Sequence, residues 1–130
     1  MEQYFLTVNI EGETTESMAR RMILPAAVRY LAELTSSAES ASSLGLSIDG
    51  IKETAKYVSK NIDGLNKAIG NLIDQNKSLG GSSVHQKARH MKENVIPAMA
   101  EVRHYADRLE RSVDHEIWPL PTYKQMLFVK

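Results

Sequence analysis

"SIDGIKETAKYVSKNIDGLNKAIGNLIDQNKSLGG", residues 47 to 81, reads as one long helix. Its apolar residues fall at Ile48, Ile51, Ala55, Val58, Ile62, Leu65, Ile69, Leu72 and Leu79, with Asn76 taking one turn of the pattern. Steps that alternate three and four are the spacing of a narrow coiled-coil seam. Ser47 is a good N-cap, Asp49 places a negative charge in the first turn, and Gly80-Gly81 closes the helix. The span of about thirty residues makes a rod of roughly 45 Å. Gly50, Gly64 and Gly70 lie off the seam, and each should cost about 1 kcal/mol relative to Ala. Such a helix needs a partner.

The next segment supplies one. After "GGSS" (Gly80 to Ser83), the residues Val84, Ala88, Met91, Val95, Ala98, Val102, Tyr105, Leu109 and Val113 repeat the alternation. A short Gly/Ser connection between two seams predicts an antiparallel hairpin. Pro97 falls inside the second arm, where it removes a backbone hydrogen bond and should bend the helix.

Upstream, Met18, Met22, Ile23, Ala26, Ala27, Tyr30, Leu31 and Leu34 form a broad apolar face around a second internal proline, Pro25. The stretch before it reads as helix with a weak point at Gly12, while "TSSAESASSLGLS" (Thr35 to Ser47) is Ser-rich and reads as a loop. The two proline turns, "ILPAAVRYLAEL" and "VIPAMAEVRHYADRL", echo each other. Either a duplication or similar packing constraints on two kinked helices accounts for this. The expected organisation is one all-α domain over residues 1–130. Helix one covers about 1–34, the loop 35–47, helix two 47–79 and helix three 83–116. Helices two and three form a coiled-coil-like antiparallel hairpin, and an extended apolar tail covers 117–130.

Function classes fall away on composition. Sixteen basic residues balance sixteen acidic ones, so no overall field draws in nucleic acid or an anionic membrane. Cysteine is absent, which removes disulfides and thiolate chemistry. The longest mostly apolar stretch, Met22 to Val28, is far too short to cross a bilayer. Glu101 and His104 make one Glu-x-x-His, but a bundle di-iron site uses that unit twice. His85 and His90, five apart, sit on different helix faces. "GGSS" lacks the spacing of a phosphate loop. No residue is therefore assigned a catalytic, cofactor-binding or metal-binding role.

Three blocks carry a resemblance. "NIEGETTESMARRMILPAAVRY" (Asn9 to Tyr30), "MKENVIPAMAEVRHYADRLE" (Met91 to Glu110) and "IWPLPTYKQMLF" (Ile117 to Phe128) closely resemble the C-terminal part of type III glutamine synthetases. The resemblance implies a longer parent enzyme that joins ammonia to glutamate with ATP and a divalent metal, Mg or Mn. It implies assembly as a cytoplasmic homo-oligomeric ring. The nucleotide, glutamate and metal ligands of that family lie upstream of the matched part, so none is carried onto a position here. What is carried over is a role in covering, bracing or assembling the catalytic body, with that body and neighbouring subunits as partners. A stand-alone helical interaction module is the alternative. The expected docking residues are Trp118, Leu120, Tyr123, Met126, Leu127 and Phe128, because Pro119 and Pro121 force an extended tail whose apolar side chains exceed what a narrow hairpin can cover.

Overall fold

Two internal prolines shape the first and third helices of this computed structural model, which describes residues 12–77 and 83–113. Helix α1 consists of helical residues 12–18, a π-helical turn Ala19–Ile23 and an α-helical stretch Leu24–Ser43. Helix α2 is Asp49–Lys77. Helix α3 repeats the design of α1, with Val84–His90, a π-helical turn Met91–Val95 and Ile96–Ser112. The described residues contain no strand, so the fold is all-α with three helices, as the sequence predicts.

Neither proline breaks its helix. A proline ring clashes with the carbonyl four residues back and offers no N–H to it. Just ahead of each proline, the turn widens. Leu24 N–H bonds to the Ala19 carbonyl and Ile96 N–H to the Met91 carbonyl, both spanning five residues. Pro25 and Pro97 then sit at the start of the resumed α-helix, where the loss of a donor is best tolerated. The two turns match position by position at an offset of 72 residues. Ala19, Ile23, Ala26 and Ala27 are buried in α1, and Met91, Val95, Ala98 and Met99 are buried in α3. Both π turns pack against α2.

Residues 35–43 of the Ser-rich stretch are helix, which corrects the expected loop over 35–47 to a short connection after Ser43. Thr35 Oγ1 donates to the Ala32 carbonyl and Ser43 Oγ to the Ser40 carbonyl, at 3.0 and 2.8 Å. These hydroxyls bond back to the preceding turn, and alanine and glutamate between them favour helix. Termination waits for Gly45 at φ +75°. There Leu46 N–H bonds to the Ala41 carbonyl and Gly45 N–H to the Ser42 carbonyl, the paired closure of a Schellman motif. The first bond of α2 runs from Lys52 N–H to the Ile48 carbonyl, so the cap falls on Ile48 and not on Ser47. Ser83 caps α3 by accepting from Gln86 N–H at 3.2 Å. Helix three was expected to reach 116 but ends at Ser112, because Val113 turns to extended backbone (ψ 140°) while remaining buried in the core. The expected tail over 117–130 lies outside the described residues.

The middle helix is the centre of the molecule, packing against both α1 and α3. That changes its apolar face. Val58, Leu65, Ile69 and Leu72 are buried as the seam requires, but Asn61 and Ala68 are buried too, while Ile62 is only half-covered. One edge of this stripe approaches α1, where Gly12 lies close to the Asn76 side chain. On the other edge Gly64 lies under the ring of Tyr105 from α3. A narrow seam would serve one neighbour; α2 has two and carries a broad stripe.

Gly64 is therefore not an idle cost. A Cβ built there would come 2.6 Å from Cζ of Tyr105, so the missing side chain is what lets the ring lie on the helix backbone. Gly50 and Gly70 have nothing within 4 Å of the same hypothetical atom and fit the expectation of a plain propensity cost.

Candidate functional site

An apolar groove of about 490 Å³ lies between α1 and α3. Met18, Ala19 and Ile23 form one wall, and Val102 and Ala106 the other. Four of these five, all but Met18, belong to the core cluster or pack directly on it, so the floor of the groove is the outer surface of the core. The π turn contributes Ala19 and Ile23; π turns recur at functional sites because they re-aim side chains. Thr14 and Thr15 rim the groove on α1, and Arg103, Asp107 and Glu110 rim it on successive turns of α3. An apolar floor with a polar rim is the general form of a site that takes an apolar side chain or ligand.

On another face, Lys56, Lys60 and Lys67 surround Asp63 beside Gly64 and Tyr105. This shallow depression is polar and matches the interleaved charge of a solvated helix face.

Of the four histidines, His85, His90 and His104 lie among the described residues. His90 Nε2 donates to the Gln75 carbonyl at 2.8 Å, and its Nδ1 accepts from Asn94 Nδ2 at 3.1 Å. These partners select the tautomer with hydrogen on Nε2. The ring thus ties α3 to the last turns of α2, a role that the five-residue spacing to His85 does not suggest. The Asn94 contact has a sequence signal, since residues four apart meet on a helix; the Gln75 contact has none. His104 packs edge-on to Tyr105 at 5.3 Å between ring centroids, and Glu101 is exposed beside it. Among the described residues, no three His, Asp or Glu side chains gather as a metal-ligand set.

Asn61 is the one buried polar residue of the described core. Its Nδ2 donates to the Tyr57 carbonyl at 2.8 Å, while its Oδ1 is buried with no partner. The expected docking residues Trp118, Leu120, Tyr123, Met126, Leu127 and Phe128 all lie outside the described residues. What the structure adds is the groove, which the sequence left invisible because its walls come from two helices some eighty residues apart.

Comparison with known proteins gives a consistent picture. The family model described as the glutamine synthetase C-terminal domain matches residues 1–42. A glutamine synthetase of Bacteroides fragilis is 29% identical over 137 residues, covering 100% of this chain and 19% of the relative. A type-3 glutamine synthetase of Dictyostelium discoideum is 28% identical over 139 residues, covering 99% of this chain and 18% of the relative. A glutamine synthetase of Butyrivibrio fibrisolvens is 28% identical over 134 residues, covering 98% and 19%. The chain spans about a fifth of the length of these relatives and matches their C-terminal region. It is thus similar, end to end, to the C-terminal part of glutamine synthetases, with the type-3 enzymes among them.

Proposed function

We propose that this chain is the helical C-terminal domain of a glutamine synthetase, and that it braces and helps assemble the catalytic body without itself performing chemistry. The observation that carries this is the end-to-end match to one C-terminal fifth of much longer relatives. The parent reaction is the ATP-dependent ligation of ammonia to glutamate, a step of nitrogen assimilation in the cytoplasm. ATP and Mg or Mn bind in the catalytic body, and the partners of this segment are that body and neighbouring subunits. A rigid bundle suits such a role. One continuous core joins all three helices, and Leu44 and Leu46, 77% and 61% exposed, stand at the turn between α1 and α2.

The test is reconstitution in trans. The Bacteroides fragilis relative is made without the C-terminal stretch that this chain matches, and the purified chain is added back. The chain alone forms no glutamine from glutamate, ammonia and ATP, and it binds the truncated enzyme saturably. Glutamine formed by the chain alone overturns the proposal. So does a truncated enzyme that keeps its full activity and particle mass without any C-terminal segment.

A further inference from the structure

The groove between α1 and α3 has walls from the first half of one helix and the second half of another, and α3 ends beside it. Glu110 lines the groove, and three residues later Val113 ends α3 in extended backbone, with its side chain buried. Seventeen residues, 114 to 130, follow that point. From Val113, where the helix has ended, to Trp118 is five residues, which span at most roughly 17–18 Å when extended. Trp118 therefore comes within range of the groove without a long loop.

The chemistry of the segment suits the slot. Pro119 and Pro121 bracket Leu120, a sequence that disfavours helix and suits a narrow extended strip. Each proline also lacks an N–H, which removes two donors that an apolar floor would leave unpaired. Trp118 and Leu120 supply bulk to lie on Ala19, Ile23 and Ala106, small or branched residues that leave room above them. Lys124 follows three residues after Pro121 and offers a cation to the Asp107 and Glu110 carboxylates on the rim.

We propose that this groove is the seat of the chain's own C-terminal segment, with Trp118 as its anchor. The segment closes α1 against α3 and completes the core on the side that α2 does not cover. The proposal does not depend on the identity of the parent enzyme.

Trp118 is the chain's single tryptophan and cysteine is absent, so two clean probes exist on the full chain. The first is tryptophan fluorescence. In the unaltered chain, Trp118 emits at a blue-shifted wavelength and resists acrylamide. Ala106→Arg fills the groove from its half-buried wall; it moves emission to the red and raises the quenching constant several-fold with helix content unchanged. Lys60→Ala, in the polar depression, changes neither. The second probe is a pair of cysteines, Asp107→Cys with Leu120→Cys, oxidised mildly at low chain concentration. A disulfide within one chain supports the proposal and does not rely on Ala106→Arg folding. A disulfide only between two chains overturns it in favour of a second copy's tail. A bond that forms instead from Phe5→Cys to Asp107→Cys assigns the groove to the N-terminal segment and also overturns it. Fully solvent-exposed Trp118 in the unaltered chain overturns it outright.

Discussion

Gly64→Ala and Gly70→Ala are the same substitution in the same helix, and they should have opposite consequences. Helix propensity favours alanine over glycine at either position by about 1 kcal/mol. At Gly70 nothing lies within 4 Å of the new Cβ, so the full gain should appear as a rise of a few degrees in melting temperature. At Gly64 the new Cβ would lie 2.6 Å from Cζ and 2.7 Å from Cδ1 of Tyr105, well inside van der Waals contact. The ring must swing off the helix. Tyr105 is half-buried and packs on the core cluster, so its displacement should cost on the order of 1–3 kcal/mol, as overpacking does. Gly64→Ala should therefore end about 1–3 kcal/mol less stable than Gly70→Ala. Thermal and urea melts of the two variants make the comparison. Adding Tyr105→Ala removes the obstruction, and in that background Gly64→Ala should regain the propensity benefit, a double-mutant coupling above about 1 kcal/mol. Equal stabilisation by the two alanines would refute the packing of α3 on this edge of α2.

Three further outcomes follow from the core and the caps. Ile69→Asp should cost several kcal/mol out of a total of roughly 5–15, because Ile69 is fully buried and its replacement is an unpaired charge; Lys60→Asp on the exposed face should shift the melt little. Asn61→Leu should leave stability unchanged or raise it by about 1 kcal/mol, since it removes the unpartnered Oδ1 along with a single hydrogen bond; a loss above 2 kcal/mol in urea melts would show that Oδ1 has a partner after all. Gly45→Ala should lower the melting temperature by an amount equivalent to about 1–2 kcal/mol, because alanine resists the φ of +75° that ends α1.

The helical class and the hairpin of α2 with α3 were legible because the three-four alternation leaves no other economical reading. Other features were not, each for a physical reason. Thr35, Ser40 and Ser43 look like loop residues by composition, yet serine and threonine can return their hydroxyl bond to their own helix, and only the left-handed Gly45 stops the chain. Pro25 and Pro97 promised kinks; the widened turns that absorb them are a backbone response with no residue signature of their own. Gly64 looked like a plain cost because its purpose is a ring forty-one residues away in the chain. The breadth of the α2 stripe was hidden by Asn61, a polar residue that periodicity assigns to solvent. Of the candidate site, the apolar tail could be read from Trp118 to Phe128 but its seat could not, since Met18 and Ala106 become neighbours only when α1 and α3 fold beside one another.

Particle mass decides whether the bundle braces a larger enzyme, as we propose. The Bacteroides fragilis relative is prepared in three forms: intact, without its matched C-terminal stretch, and with this chain grafted in that place. Light scattering then gives the mass of each particle. The truncated form should fall to a smaller particle, and the graft should restore the mass of the intact one. A truncated form with the same mass as the intact enzyme contradicts the proposal.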